Sequence, residues 1–187
     1  MGWTMTTQTA DFYSQFKQAS EEKWQNIAVR PNTWGFQIQR GTLWNPGLSE
    51  GELARYEIDI GFRFPSGLRA FLEKMNGTDT PALDVRGSGG EKHCLAPAFY
   101  SYPRDLELIK NLIDSAWMNP EQLRNSLSEE GFQLGEEAKL LPIFAHRYVV
   151  CSPEAPSCAV LSIWDSSDAI VYGQSLPEYL QREVFGE

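Results

Sequence analysis

The chain has 187 residues, the length of one ordinary domain, and is 42% hydrophobic, 22% charged and 12% aromatic. Its 16 Lys and Arg against 25 Asp and Glu give a net charge of −9, which excludes a basic nucleic-acid binder that works by neutralising phosphates. The longest apolar run, Leu140–Ala145, contains Pro142 and falls far short of the roughly 20 residues of a membrane-spanning helix.

Met1–Met5 carries neither the charged nor the apolar region of a secretory leader, so export by a cleaved signal is not expected. Cys94, Cys151 and Cys158 are three in number and widely spaced, which fits no disulfide framework and points to a reducing, cytoplasmic compartment. Thr9–Ala28 spaces Phe12, Phe16, Ala19, Trp24 and Ile27 along one face, the pattern of an amphipathic helix. Residues 31–47 mix Pro and Gly with Trp34, Phe36, Leu43 and Trp44, which predicts an irregular segment with aromatic anchors to bury and a short strand at Gly35–Gln39. Ser49 with Glu52 forms a capping box, Leu48 and Leu53 a hydrophobic staple, and a helix carrying Leu53, Tyr56 and Ile60 should end at Gly61. A second helix follows Pro65 with Leu68, Phe71, Leu72 and Met75 at helical spacing and Asn76–Gly77 as its stop.

Ala82–Gly90 reads as a polar loop, Leu95–Tyr102 as a strand or buried segment, and Pro103–Trp117 as a third helix with Leu106, Ile109, Ile113 and Trp117 facing inward. Residues 119–139 suggest a short helix and an exposed acidic loop. Leu140–Cys151, Ala159–Trp164 and Ala169–Tyr172 are rich in Val, Ile, Tyr and Phe and read as consecutive antiparallel strands. Ser175 with Glu178 starts a last helix whose apolar face is Leu176, Tyr179, Leu180 and Val184. The order predicts a single α+β domain with helices packed on a mostly antiparallel sheet.

Gly47–Gly77, with its capped helix, Gly61-Phe-Arg-Phe-Pro65 turn and Asn-Gly end, resembles the opening signature of the SUKH superfamily. Leu140–Cys151 is similar to a strand of many bacterial members, and Ser162–Val184 looks like their closing hairpin and helix. The resemblance spans residues 44–185. It divides the chain into residues 1–43, an N-terminal helix and irregular lead-in, and residues 44–187, the SUKH-like domain. The family takes its name from fungal cell-wall-assembly regulators of the Smi/Knr type, and many bacterial members are immunity proteins that bind a toxin. The resemblance therefore implies a mixed α/β fold, a protein-binding role and no catalytic residues.

Sharper chemical readings find less footing. His93, Cys94, His146, Cys151 and Cys158 form a pool of metal ligands, but only Cys151-x6-Cys158 approaches the close pairing of a zinc site, so no metal is expected. Arg86–Gly90 has glycines but neither the Lys-Ser/Thr nor the flanking elements of a phosphate loop, so no cofactor is expected either. Asn76-Gly-Thr78 spells a glycosylation sequon that a helix stop explains better. Read as one strand, the segment around His146 alternates Phe144, His146 and Tyr148 with Ala145, Arg147 and Val149. Arg147 then has two roles open to it: pairing with an internal carboxylate, or contacting a partner.

Charge is uneven: residues 1–103 hold ten basic and eleven acidic side chains, residues 104–187 six and fourteen. An acidic surface steers basic partners, as a nuclease toxin would be, although it also serves solubility. The candidate contact residues are Glu129, Glu130, Glu136, Glu137, Arg147, Trp164, Asp165 and Asp168. The expectation is a bacterial immunity protein that blocks a basic toxin domain by direct binding, with a Smi/Knr-type scaffold as the alternative and oligomeric state open.

Overall fold

The structure, a computed structural model, describes residues 4–30, 33–86, 92–152 and 158–186. In chain order the elements are α1 (Thr4–Gln25), β1 (Gly35–Gln37), β2 (Trp44–Pro46), α2 (Glu50–Ile60), α3 (Ser66–Leu72), β3 (Met75–Thr78), β4 (Ala82–Arg86) and β5 (Lys92–Ala96). They continue with α4 (Leu106–Ala116), α5 (Pro120–Glu129), β6 (Lys139–Phe144), β7 (Arg147–Cys151), β8 (Val160–Asp165), β9 (Asp168–Gly173) and α6 (Leu176–Phe185). The strands form antiparallel sheets β1-β4-β5, β2-β3 and β6-β7-β8-β9, so the chain is a single α+β domain.

Within the four-stranded sheet β6 and β7 are buried on both faces, and the side-chain alternation of the sheet sorts residues into two cores. Leu141, Val149, Cys151 and Val160 join the larger core, under α1, α2, α3 and α6; Leu140, Tyr148, Val150, Leu161 and Ala169 join the smaller, under the end of α4 and α5. An irregularity between Pro142 and Phe144 breaks this alternation and sends both Ile143 and Phe144 to the larger core. Trp44 is a hub of that core: its ring lies 4.5 Å from Phe99, 5.2 Å from Trp24 and 6.0 Å from Phe71, and its Nε1 donates to Ser20 Oγ at 2.8 Å. Tyr13, Phe16 and Trp24 of α1 are buried in the same cluster, so the N-terminal helix caps the core.

The local signals at α2 hold in detail. Ser49 and Glu52 close a reciprocal capping box, and Gly61 ends the helix at φ 83, a left-handed conformation that costs glycine little. At α6 the Ser175 hydroxyl accepts from Glu178 N at 3.3 Å, but the Glu178 carboxylate reaches past the cap to Gln174 N at 3.1 Å, so only half of that box is present.

Several expectations need correction. Met75 does not extend α3: the helix ends at Leu72, and Met75–Thr78 forms β3 against β2. The reason is tertiary. Asn76 is buried, donates to Tyr102 O at 2.6 Å and accepts from Tyr102 N at 2.9 Å, while a Cβ on Gly77 would meet the Tyr100 backbone at 2.6 Å. Ala82–Arg86 is a strand, because it pairs on both sides with β1 and β5, and β5 begins at Lys92, ahead of the expected Leu95. Gly87–Gly90, the glycine cluster, lies outside the described residues. Leu140–Cys151 is two strands joined by the two-residue loop Ala145–His146, so the expected alternation across Phe144–Val149 does not exist. Trp34 and Leu43, expected as buried anchors, are exposed. No helix among the described residues is long and apolar enough to cross a membrane.

Candidate protein-binding site

The site is built where three segments distant in sequence meet: the start of β1, the β6–β7 loop and the end of β8. Trp34 enters from β1 and Trp164 from β8; they are 62% and 55% exposed, with ring centroids 6.3 Å apart and planes at 46°. His146 stands edge-on to Trp164 at 5.4 Å and 88°. Below them lies a cleft of about 280 Å³ whose floor includes Phe36, Asp84, Phe144, Arg147 and Glu183.

The loop that places His146 is strained. Phe144 pairs with Arg147 across a two-residue connection in which Ala145 takes φ 46, a conformation glycine usually supplies. Two hydrogen bonds hold it: Tyr100 OH donates to Ala145 O at 2.8 Å, and Ile163 N to His146 O at 3.0 Å. Trp164 is set by the next hairpin, where Asp165 Oδ1 accepts from Ser167 Oγ at 2.6 Å, Ser167 N at 2.7 Å and Asp168 N at 3.1 Å. These bonds from Ser167 hold the Asp165 carboxyl below its ordinary value, so the turn that follows Trp164 carries a negative charge.

The floor holds a polar cluster. Arg147 Nη1 donates to Ser162 Oγ at 2.7 Å, its guanidinium lies 4.0 Å from the Tyr172 ring centroid, and its Nε is 3.6 Å from Glu183 Oε2. Arg147 Nε, Glu183 Oε2 and Tyr179 OH are all buried, and none closes a bond of full hydrogen-bond geometry. Burial raises the Glu183 carboxyl, and Arg147 and Tyr179 bring it only part of the way back. Burial and the neighbouring Arg147 push the His146 imidazole down to about 4, against the pull of Asp168, which leaves the ring neutral at pH 7. Opposite, Asp84 is buried and pairs with Arg86 Nε at 2.6 Å. Charges on the floor thus face opposite charges, while Asp165 and Asp168 at the exposed turn have no cation within ion-pair distance among the described residues.

Of the residues expected from sequence, Arg147 and Trp164 line the cleft, and Asp165 and Asp168 belong to the exposed turn that follows Trp164 without lining it. Arg147 meets the internal carboxylate that one of its two readings required, and that carboxylate is Glu183. Glu129 and Glu130 end α5, and Glu136 and Glu137 precede β6; all four are exposed, and none lines the cleft. Glu136 instead borders a separate depression with Trp117 and Arg124. Trp34, expected as a buried anchor, and Arg86, expected in a glycine-rich loop, line the cleft instead, together with Asp84 and Glu183, for which no role was expected. Glu183 had a signal, since it lies seven residues after Leu176 and four after Tyr179, a carboxylate on an otherwise apolar helix face. In the metal-ligand pool, His93 and Cys94 are exposed on β5 and Cys151 and Cys158 are in the core; among the described residues no three metal-capable side chains converge.

No family model and no curated protein matches this chain.

Proposed function

We propose that this chain is a non-catalytic protein-binding domain, an immunity protein that neutralises a basic toxin domain by seating it on the Trp34–Trp164 face. The observation that carries the reading is the exposed tryptophan pair beside the Asp165–Asp168 turn. Tryptophans dominate binding hot spots, and two of them more than half exposed leave roughly 250 Å² in water, worth about 6 kcal/mol if buried. That gain lies near the lower end of the roughly 4–15 kcal/mol cost of association and leaves little surplus for tight binding, so charge complementarity has to add to it. Asp165 and Asp168 in the turn after Trp164, which have no cation within ion-pair distance among the described residues, supply it for a basic partner, as does the −9 net charge. The SUKH-like signature of residues 44–185 supports the same role.

The test is affinity capture by the tagged chain from its own cell extract, beside the double variant Trp34→Ala, Trp164→Ala. The expected result is one basic protein at a one-to-one ratio, held less tightly in high salt and about 30-fold more weakly by the variant. Co-expression of the chain should also relieve that protein's toxicity. Capture of nothing, or of a partner that the variant retains equally well, overturns the proposal.

A further inference from the structure

We propose that Cys151 and Cys158 are a dithiol site that a peroxide converts to an intrachain disulfide across the end of the β7–β8 hairpin. The register of the hairpin sets the two cysteines opposite each other. β7 pairs with β8 through Arg147–Ser162, Tyr148–Leu161 and Val149–Val160, and Val150 N donates to Ala159 O at 2.8 Å, which carries the register one step further. The next pair in that register is Cys151 with Cys158. Since Val150–Ala159 occupies a hydrogen-bonded position, the cysteines fall at a non-hydrogen-bonded one, where facing Cα atoms lie about 4.5 Å apart, inside the range a disulfide spans. Both side chains are buried in the larger core, on the face of the sheet that holds Val149 and Val160.

Two further observations set the pair apart from ordinary core cysteines. Cys158 takes φ 53, in the left-handed region, a conformation that a non-glycine residue keeps only where its surroundings impose it. Burial raises both thiols, and Cys158 lies close enough for its charge to disfavour ionisation of Cys151 as well. They are not equivalent, because the backbone N–H groups of Leu68 and Gly67 act on the Cys158 sulfur and favour its thiolate. That asymmetry assigns the attacking role to Cys158 and the resolving role to Cys151.

The chemistry balances with hydrogen peroxide as the oxidant. The Cys158 thiolate attacks one peroxide oxygen, the O–O bond breaks, and hydroxide leaves and takes a proton to become water, giving a sulfenic acid. The Cys151 sulfur then attacks the Cys158 sulfur, the S–O bond breaks, a second water leaves with the Cys151 proton, and the S–S bond forms. Two electrons pass from the thiols to the peroxide. Burial of both thiols decides the oxidant class, since a molecule close to the size of water reaches them more readily than glutathione does. Cys94 is the internal control: it is exposed on β5, and the residue facing it is Asp84.

The test treats the full-length chain with hydrogen peroxide under native conditions, followed by alkylation, intact mass and peptide mapping. The expected result is a fall from three alkylated cysteines to one, loss of two hydrogen atoms, and a linked peptide that joins Cys151 to Cys158. Cys94→Ser should give the same link, and Cys151→Ser should leave a sulfenic acid on Cys158 that dimedone traps. The wild-type chain carries the primary readout, so the outcome does not depend on a variant folding. Full alkylation of Cys151 and Cys158 after peroxide, a link through Cys94, or higher oxides on both without a link overturns the proposal.

Discussion

Among the carboxylates withdrawn from water in this molecule, Glu57 and Glu183 have been treated in opposite ways. Glu57, on α2, accepts from Phe64 N at 2.9 Å and from Arg63 and Arg69 at 2.7 Å each, so both its oxygens are satisfied. Burial pushes the Glu57 carboxyl up, but these donors outweigh it and hold the group below the ordinary carboxylate range. Glu183, under the tryptophan cleft, has a single arginine at 3.6 Å and an oxygen without a hydrogen bond, and burial prevails. The first is a clamp that fixes the turn between two helices. The second is a charge held under a cleft by fewer contacts than it has lone pairs. Buried acids in stable frameworks are saturated, and a shortfall marks a place where the fold serves something besides its own stability.

The largest expected effect tests the clamp. Glu57→Gln leaves two arginines and a buried N–H facing a neutral amide and should cost about 3 kcal/mol, read as a lower urea midpoint at unchanged slope. A loss under about 1 kcal/mol would make Glu57 an ordinary surface-like pair and erase the contrast. Arg147→Met comes next. It strands Glu183 without a countercharge and should cost about 2 kcal/mol at neutral pH. The loss should shrink in acid, because Glu183 then takes up a proton and His146, freed of its cationic neighbour, protonates more easily. A loss that grows as pH falls would show that the arginine, not the acid, is the group the site strains to keep.

The comparison also separates what a single sequence can show from what it cannot. The cap and the turn around α2 were legible because their signals are local: Ser49 with Glu52, Gly61, and Pro65 all act within a few residues of themselves, whereas the Glu57 clamp, which reaches Arg69 twelve residues on, was not. The β6–β7 loop was not, since Ala145 at φ 46 occupies a position where glycine or asparagine would have announced a turn. β3 was hidden for a different reason. Met75 keeps helical spacing, and only the bonds from Asn76 to the Tyr102 backbone, 26 residues away, decide for a strand. At the site, Trp164 and the Asp165 turn were visible as an aromatic next to turn residues, whereas Trp34 read as an anchor to bury. Its exposure depends on β1 lying at the edge of its sheet next to β8, a relation between segments 130 residues apart.

The two acids should also pull the pH dependence of folding in opposite directions. Glu57, whose folded value is depressed, contributes stability that is complete above the ordinary carboxylate range and is lost as pH falls through the lower folded value. Glu183, whose folded value is raised, does the reverse: the folded state holds its proton more tightly, so stability declines as pH rises from the ordinary value through the folded one. His146, depressed to about 4, adds an acid-side loss of its own from 6.5 downward. Subtracting each variant's stability curve from the wild type cancels contributions that the two proteins share. The Glu57→Gln difference should therefore grow with pH across the acid range, and the Glu183→Gln difference should shrink. Equal slopes would mean that both acids are held alike.

The smallest expected effect is the sharpest test of the contrast. Glu183→Gln keeps the size and planarity of the side chain, and Arg147 retains Ser162 and the face of Tyr172. The amide loses an attraction to Arg147 and escapes the penalty of burying a charge, two terms of similar size and opposite sign. The net change at neutral pH should stay within about 0.5 kcal/mol, against about 3 for the same substitution at Glu57. A Glu183→Gln loss as large as that of Glu57→Gln would establish that the long 3.6 Å contact closes in solution and that the cleft floor is a second clamp. A near-neutral result leaves the acid without a stabilising role in the fold, and its place under two exposed tryptophans becomes the feature that a partner must explain.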